Sequence, residues 1–390
     1  METNEKKIEE VLSRGVEEVI VKDDLQKKLE SGKKLRIYFG IDPTGSRLHL
    51  GHSVVLHKLK EFTDLGHEVI LLIGDFTAKI GDPSGRDATR VPLTDKQIRE
   101  NFKDYKKQAS KILNFSKVKL KYNSQWLSKL RLADILKLSS HVTVQQMMHR
   151  EMFDKRIKDN SPISVSEFMY PLMQGYDSVA MNVDLEIAGN DQLFNMLVGR
   201  DLQKAYNNKD KNVLAMRLLL GTDGRKMSKT YNNAIYLDDE PSEMFGKVMS
   251  IKDELIDNYV ELCTNLDLSE VKNIPNPRDQ KAKLAFEIVK MYHGEKEAKM
   301  AEENFNKTFR DGGLPSEIEV FETNKEKYPI LDLLFDSKLA ESKSDAKRVV
   351  EGGGTEVDNL KVSDWKAEVG LKDGTIVKFG KRKFIKIKKV

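Results

Sequence analysis

The chain has 390 residues, 39% hydrophobic and 33% charged, enough for more than one domain with its own core. Its single cysteine, Cys263, excludes a disulfide framework and a thiolate zinc cluster built within the chain. The first ten residues are charged and lack the apolar core of a signal peptide, and the longest apolar run, VILLIG, is too short to span a bilayer. We therefore expect a soluble, cytoplasmic protein without a membrane partner.

Alternating strands and helices dominate the first 230 residues. LRIYFGI (35–41) predicts a buried strand, SVVLHKLKEFTDLG a helix, and HEVILLIGDF a second strand, which together make a βαβ unit. The alternation continues to the strand NVLAMRLLL (212–220). It predicts a doubly wound, Rossmann-like α/β domain with a parallel sheet, in which ligands bind at the carboxyl ends of the strands.

Beyond residue 240 the alternation stops and helices follow one another. A segment rich in Gly, Pro and charge then precedes short helices and alternating strand patterns. We therefore expect an α/β domain with N-terminal helices over 1–232, an α-helical domain over 233–312, a linker over 313–330 and a small α+β module over 331–390.

Charge is concentrated at the C-terminal end. Residues 331–390 carry 14 Lys and Arg against 10 Asp and Glu, so their net charge of +4 equals that of the whole chain. Six of these basic groups lie in the last ten residues, KRKFIKIKKV. A neutral body with a basic end indicates a polyanionic partner, although a solvated lysine-rich end explains the same pattern.

Two histidines flank a glycine where the first strand passes into a helix, in the stretch LHLGH. The first turn of a helix leaves backbone N–H groups unpaired, which attract anions. His49 and His52 project from one side of that turn, and Gly51 leaves room for close approach. A phosphate site is one interpretation; ordinary surface histidines are another, and a metal site lacks further ligands at suitable spacing.

The loop GTDGRKMSKTYNN (221–233) follows the last predicted strand of the sheet. Its glycines favour mobility, and Lys226 and Lys229 could move onto a polyphosphate and neutralise the charge that develops as pyrophosphate departs. A solvated basic loop is the alternative in a chain so rich in lysine.

Together the two motifs resemble the paired signatures of class I aminoacyl-tRNA synthetases, with HLGH and KMSKT in the family's order. The blocks YFGIDPTGSRLHLGH, IGDPSGR, YPLMQGYD and AGNDQ resemble the bacterial tyrosyl-tRNA synthetases. The basic end, with AESKSDAKRVVEGG, is similar to an RNA-binding module first named from a small-subunit ribosomal protein. The resemblance covers essentially the whole chain.

The resemblance implies a two-step reaction. L-tyrosine and ATP, brought with Mg²⁺ rather than by a metal site of the protein, would give tyrosyl-adenylate and pyrophosphate, and tyrosine would then pass to the 3′-terminal ribose of tRNA(Tyr). It also implies a homodimer. Rejection of phenylalanine by a pocket built for the phenolic hydroxyl is a property for which this family is a standard example.

The resemblance also implies roles for individual residues. Those expected to hold the tyrosine substrate are Tyr38, Asp82, Tyr170, Gln174, Asp177 and Gln192, with Tyr38 and Asp177 at the phenolic hydroxyl. Those expected in catalysis are Thr44, His49, His52, Arg86, Lys226 and Lys229, and those expected to bind ATP are Asp42, Gly51, Asp191, Met227 and Ser228. Those expected to contact tRNA are Lys343, Lys347, Arg348, Lys381, Arg382 and Lys383.

Two features are left open by the sequence. Glu186 falls where some bacterial members carry glutamine near the substrate carboxylate, and it would repel that carboxylate unless it points away or is itself paired. The predicted helix VTVQQMMHREMFDKR (142–156) is rich in Met and Phe, which suits either the core or a homodimer interface.

Other functions fit parts of this pattern. A class I synthetase for another amino acid shares both motifs, and an adenylyltransferase shares a similar histidine turn but rarely carries an RNA module. A non-catalytic RNA-binding protein on a synthetase body would have no use for two phosphate elements.

Overall fold

The computed structural model describes residues 1–84, 93–229, 231–309, 318–358, 360–380 and 383–390. They form two compact units, Met1–Lys299 and Met300–Val390. Among these residues, no helix combines the length and the apolar character needed to cross a membrane.

The first unit contains a six-stranded sheet. Its strands are β1 Val16–Ile20, β2 Arg36–Ile41, β3 Glu68–Ile73, β4 Val118–Tyr122, β5 Leu185–Gly189 and β6 Asn212–Met216. They lie in the order β1-β6-β5-β2-β3-β4, and all neighbours are parallel except β1 and β6. Helices cover the sheet, so the inner strands read as continuous apolar runs, as in EVILLI of β3.

The order of the strands creates the position for a site. From β2 the chain moves outward through β3 to β4, and it returns to add β5 and β6 on the other side of β2. The connections therefore diverge between the carboxyl ends of β2 and β5, which is where doubly wound sheets bind ligands. The predicted α/β class with a parallel sheet is confirmed.

Helices make up most of the rest of the first unit, and the last of them continues into the second unit. They are α1 Glu5–Ser13, α2 Lys22–Glu30, α3 Leu50–Asp64, α4 Asp95–Phe102, α5 Tyr105–Ala109, α6 Ser124–Leu127, α7 Leu132–Ser139, α8 Val144–Met148, α9 Glu151–Lys158, α10 Val165–Met181 and α11 Leu193–Asn207, followed by α12 Pro241–Met249, α13 Ile256–Cys263, α14 Leu268–Lys272, α15 Pro277–His293 and α16 Glu295–Phe309. Single 3₁₀ turns occur at Thr77–Lys79, Asn190–Gln192 and Asp253–Leu255.

Several elements differ from the sequence prediction. The strand β1 lies between two N-terminal helices where only helices were expected, because an antiparallel edge strand carries no βαβ signal. The predicted strand 212–220 ends at Met216, and the helix predicted over 142–156 is divided into α8 and α9.

The second unit consists of α17 Ile330–Asp336, α18 Lys343–Glu351, β7 Glu319–Thr323, β8 Lys327–Pro329, β9 Thr355–Val357, β10 Leu360–Val362, β11 Glu368–Gly370, β12 Ile376–Phe379 and β13 Lys383–Lys389. Five strands form a sheet in the order β10-β9-β12-β13-β7, and β8 pairs with β11. Apolar side chains from both helices and the sheet form its core, among them Leu333, Val350 and Ile385.

The sequence placed residues 319–323 and 327–329 in a linker, whereas the structure gives them as strands of the second unit. β7 runs parallel to β13 along five residue pairs, at the edge of the sheet. Its charged residues face solvent, as is common for edge strands, and for that reason the segment has the composition of a linker.

Candidate active site

A cavity of about 420 Å³ lies at the carboxyl ends of β2 and β5. It is lined by residues from every sequence motif of the α/β domain. The predicted site residues among its lining are Tyr38, Asp42, Thr44, His49, Gly51, His52, Asp82, Tyr170, Gln174, Asp177, Asp191, Gln192, Lys226, Met227, Ser228 and Lys229. Arg86 lies outside the described residues.

The histidine turn begins helix α3. His49 precedes the first helical residue, and its backbone N–H donates to His52 Nδ1 at 3.1 Å, so the two rings lie 3.9 Å apart. A Cβ at Gly51 would lie 3.0 Å from two atoms of the His49 ring. A side chain at this position would therefore crowd the histidine ring, a reason for glycine that differs from the phosphate approach inferred from the sequence.

Both histidines are neutral near pH 7. Burial lowers the pKa of His52 to about 4, and the nearby Lys226 ammonium adds to that effect. The pKa of His49 is well below its usual range, because of burial and then because of His52 and Lys226. Neutral imidazoles can donate hydrogen bonds to phosphate oxygens without the cost of burying a charge.

The two predicted readers of the phenolic hydroxyl are buried in the cavity wall. Tyr38 Oη lies 2.9 Å from Ser178 Oγ. Asp177 accepts hydrogen bonds from Trp126 Nε1 at 2.7 Å and from Asn123 Nδ2 at 3.2 Å. Burial raises the pKa of the Asp177 carboxyl, and these two donors oppose that shift. Neither Trp126 nor Asn123 belongs to a motif, so sequence reasoning did not identify them.

Helix α10 presents three predicted residues to the cavity, but Tyr170 has a partner that the sequence did not indicate. Its hydroxyl donates to Asp42 Oδ2 at 3.0 Å, and Asp42 Oδ1 accepts from Thr77 Oγ1 at 2.7 Å. A Cβ at Gly74, the residue after β3, would lie 1.9 Å from Asp42 Oδ1, so the chain needs glycine beside this carboxylate.

Amide side chains link the remaining polar residues of the wall. Gln192 Nε2 donates to Asp82 Oδ2 at 2.8 Å. Asn195 Nδ2 donates to Gln174 Oε1 at 3.0 Å and to Gln192 Oε1 at 2.9 Å. Asn195 thus orients two predicted substrate residues at once, and the sequence did not identify it.

Glu186 is paired. Its carboxylate contacts Lys211 Nζ, and both side chains are almost fully buried, at 2% and 0% exposure. Gln174 Nε2 also donates to Glu186 Oε1, at 3.2 Å. The repulsion considered from the sequence is therefore compensated by a lysine that lies in no motif.

The lysine loop is held close to the cavity. Lys226 Nζ pairs with Asp191 Oδ2 at 2.7 Å, and the Ser228 backbone N–H donates to Asn233 Oδ1 at 2.9 Å. Lys226 is 42% exposed in this pair. The Lys229 side chain passes within 4.0 Å of the position that a Cβ on Gly45 would occupy, so it lies beside the loop after β2.

Four of the predicted tRNA-contacting residues lie at the surface of the second unit, and each has a local partner. Lys343 pairs with Asp332 at 2.6 Å, and Arg348 with Asp345 at 2.7 Å. Lys347 Nζ lies 4.2 Å from the centre of the Trp365 ring. Lys383 Nζ donates to the Leu339 carbonyl at 2.8 Å. Lys381 and Arg382 lie outside the described residues.

No group of three or more His, Cys, Asp or Glu is arranged to hold a metal ion in the part of the chain that the structure describes. The carboxylates of the cavity are instead engaged by amide, hydroxyl and ammonium donors.

The chain matches two protein families. Residues 30–310 match the family described as tRNA synthetases class I (W and Y), and residues 311–387 match the tyrosine–tRNA ligase SYY-like C-terminal domain. In structure it is similar to a C-terminally truncated mitochondrial tyrosyl-tRNA synthetase of Aspergillus nidulans, with TM-score 0.64 and 23% identity over 78% of this chain and 94% of that one. It is also similar to the Archaeoglobus fulgidus enzyme complexed with L-tyrosine, with TM-score 0.63 and 24% identity over 76% and 99%. These likenesses show the fold.

Curated relatives match along nearly the full length. The tyrosine–tRNA ligase of Thermotoga maritima is 46% identical over 386 residues, which cover 97% of this chain and 96% of the relative. Tyrosine–tRNA ligase 2 of Vibrio vulnificus is 46% identical over 96% of this chain and 97% of its own. With both family matches and the motif residues gathered in one cavity, the chain belongs to the tyrosyl-tRNA synthetases of class I.

Proposed function

We propose that the protein activates L-tyrosine with ATP and transfers it to the 3′-terminal ribose of tRNA(Tyr). The observation that carries this proposal is the cavity between β2 and β5. Its wall holds a buried tyrosine and aspartate suited to a phenol, and the same cavity is lined by the histidine turn and the lysine loop, which suit a triphosphate. The cytoplasmic setting expected from the sequence is part of the same proposal.

Activation requires no covalent enzyme intermediate. The tyrosine carboxylate attacks the α-phosphorus of ATP, the bond to the bridging oxygen breaks, and pyrophosphate leaves with the electron pair, so the protein contributes position and charge stabilisation. His49 and His52, both neutral, donate hydrogen bonds to phosphate oxygens, and Lys226 and Lys229 neutralise the charge on the departing pyrophosphate. Mg²⁺ reaches the cavity as part of the MgATP substrate.

The lysine loop has to rearrange during this step. Lys226 is bound to Asp191, which is also the carboxylate expected at the ribose of ATP. Binding of the ribose hydroxyls to Asp191 would release Lys226 toward the phosphates. This exchange requires little free energy, because a partly exposed ion pair contributes only about 0–1 kcal/mol to stability.

ATP–pyrophosphate exchange tests the first step of the proposed function. Purified protein should exchange labelled pyrophosphate into ATP when tyrosine is present, and the other amino acids should support little exchange. Exchange with a different amino acid alone would replace tyrosine as the substrate. No exchange with any amino acid, together with tRNA binding, would favour a non-catalytic RNA-binding protein.

A homodimer is part of the proposal. Large apolar side chains are exposed on consecutive helices between residues 132 and 165, namely Leu132, Leu136, Val144, Ile157 and Val165. Exposed apolar groups concentrated in one segment mark an interaction surface. Met147, Met152 and Phe153 of the same segment are buried within the chain, so the Met-rich region predicted from the sequence contributes to the core as well.

Sedimentation tests the dimer. Leu136→Lys should reduce the mass in solution to that of one chain, because burying an unpaired ammonium at an interface is costly. Leu360→Lys, at an equally exposed leucine of the second unit, is the matched control. If Leu132→Lys and Leu136→Lys together leave a dimer intact, the interface lies elsewhere.

We also propose that the second unit binds the tRNA. The net charge of +4 on residues 331–390 and the half-buried ring of Trp365, with Lys347 at 4.2 Å and Lys366 at 5.0 Å, support contacts to phosphates and stacked bases. Deletion of residues 311–390 should leave adenylate formation intact and abolish tRNA charging. Normal charging by the shortened protein would remove the second unit from the function. The deletion begins before β7, because a deletion that starts at residue 331 would leave two strands of this unit behind without their partners.

A further inference from the structure

The tyrosine-reading wall rests on a buried ion pair that none of the sequence motifs contains. Lys211 lies directly before β6 and Glu186 lies in β5, and neither side chain reaches solvent. Lys211 Nζ also donates to Ser178 Oγ at 2.9 Å. Ser178 follows Asp177 on α10, and its Oγ lies 2.9 Å from Tyr38 Oη.

The packing of two helices is adapted to this lysine. A Cβ on Gly199 of α11 would lie 2.6 Å from Lys211 Nζ and 3.1 Å from Ser178 Oγ. At the same crossing, a Cβ on Gly175 of α10 would lie 3.1 Å from the Gly199 backbone nitrogen. The helices therefore approach closely through two glycines, and the ammonium group fits only because Gly199 has no side chain.

The hydrogens available on Lys211 and Ser178 determine which group donates in each hydrogen bond. An ammonium group can only donate, so Lys211 occupies one lone pair of Ser178 Oγ and leaves the serine hydrogen free. That hydrogen has two acceptors within reach, Tyr38 Oη at 2.9 Å and Glu186 Oε2 at 3.3 Å. Glu186 already accepts from Lys211 and Gln174, and the shorter distance favours Tyr38.

A serine that donates to Tyr38 turns the hydrogen of Tyr38 away from Ser178, which leaves that hydrogen two acceptors, the Glu186 carboxylate and a phenolic oxygen in the cavity. Because Glu186 is already engaged by Lys211 and Gln174, the Tyr38 hydrogen is available to the cavity. Asp177, in the same wall, accepts from Trp126 and Asn123 and offers only lone pairs. The wall thus presents one donor and one acceptor. A phenolic hydroxyl satisfies both, whereas phenylalanine leaves both buried groups unpaired.

We propose that Lys211, acting through Ser178, is a positioning residue for substrate selection, because it sets the hydrogen of Tyr38 toward the substrate's phenolic oxygen. Each group in this series donates a hydrogen bond to the next: Lys211 to Ser178, Ser178 to Tyr38, Tyr38 to the phenol, and the phenol to Asp177. This inference rests on the proposed function, since it concerns the same cavity and the same substrate. Glu186 balances the charge of the lysine that begins the series.

The test measures selection between tyrosine and phenylalanine. ATP–pyrophosphate exchange gives kcat/KM for each amino acid and KM for ATP, and a thermal melt reports folding. Ser178→Ala keeps the Lys211–Glu186 pair and removes the hydroxyl that links this pair to Tyr38. The tyrosine-to-phenylalanine ratio should fall roughly fivefold through a higher KM for tyrosine, with KM for ATP unchanged.

Lys211→Met should lower the ratio further, because the serine hydrogen then turns to the uncompensated Glu186 carboxylate and the Tyr38 hydrogen turns to Ser178. Adding Glu186→Gln should restore the ratio and the melting temperature, since the Gln amide N–H can donate to Ser178 in place of the ammonium. Lys209→Met is the matched control, a partly exposed lysine two residues away that pairs with the buried Asp184 at 3.0 Å.

An unchanged ratio in Ser178→Ala overturns the inference, and so does an unchanged ratio in a folded Lys211→Met protein. If Lys211→Met alone does not fold, Ser178→Ala and the double variant decide. A double variant that regains the melting temperature without the ratio also contradicts the proposed donor series. Failure of the proposed function is distinct, because the parent protein would then show no tyrosine-dependent exchange.

Discussion

The two parts of the cavity that we propose bind tyrosine and the triphosphate are built differently. Around Tyr38 and Asp177 the polar groups are buried, and each has partners fixed by the protein itself. On the lysine loop, Lys226 is 42% exposed and is held by one ion pair to Asp191. The tyrosine wall is therefore preorganised, and the phosphate side must exchange partners before the reaction.

The difference follows from what each part recognises. Discriminating a hydroxyl from a hydrogen requires buried groups that are left unpaired by the wrong substrate, which demands fixed geometry. Stabilising the departing pyrophosphate requires positive charge at the place where negative charge develops. The groups that supply this charge can move between steps. Substitutions in the two parts should therefore change different kinetic constants.

The largest effect is expected on the phosphate side. Lys229→Ala should slow adenylate formation about 100- to 1000-fold, because it removes a cation from the departing pyrophosphate. Tyrosine binding should be nearly unchanged, since Lys229 belongs to the other part of the cavity. Single-turnover kinetics and equilibrium tyrosine binding measure the two quantities. Lys272→Ala, at a surface lysine paired with Asp257, is the control, and a comparable loss of tyrosine affinity in Lys229→Ala would remove the distinction between the two parts.

A smaller effect is expected at the tyrosine wall. Trp126→Phe keeps a ring in place and removes the 2.7 Å hydrogen bond to the Asp177 carboxylate. KM for tyrosine should rise about tenfold, because a bond to a charged group contributes about 1.5–3 kcal/mol, while KM for ATP stays constant. Trp365→Phe, at the other tryptophan of the chain, is the matched control. A rise in KM for ATP of the same size would show that the two parts are coupled.

The smallest effect is expected in the pH dependence of stability. An unfolded imidazole titrates near pH 6.5, whereas burial holds the pKa of His52 at about 4. Between these values the unfolded chain binds a proton that the folded protein does not, so this contribution to stability is present above pH 6.5 and is lost as the pH falls toward 4. The melting temperature should therefore decline over this range, and less steeply in His52→Asn. Equal slopes in parent and variant would show that His52 is not the group responsible.

The motifs were predictable from the sequence because each is a run of neighbouring residues. HLGH, GDPSG, YPLMQGYD and KMSKT all border the cavity, and their spacing along a strand–helix alternation was enough to bring them to one edge of a sheet. The residues that orient them were not predictable. Lys211, Asn123, Trp126 and Asn195 stand alone in the sequence, and only the tertiary structure brings them to their partners.

The edge strands were not predicted from the sequence, for a related reason. β1 and β7 lie at edges, where alternation of buried and exposed side chains is weak and charge is tolerated. The local sequence there resembles a helix connection or a linker. These segments become strands because they pair with β6 and β13, which are distant along the chain.

The contact between Gly199 and Lys211 has a consequence for descent within the family. Alanine at position 199 would displace the ammonium group, and loss of the ammonium group would strand Glu186 in the interior. The three positions are therefore coupled: Glu186 and Lys211 have to change together, because either charge alone would be buried without its partner, and a side chain at position 199 is accommodated once the lysine has gone. Lineages that keep this ion pair should also keep glycine at position 199, and lineages that lack both charges should be free to vary there.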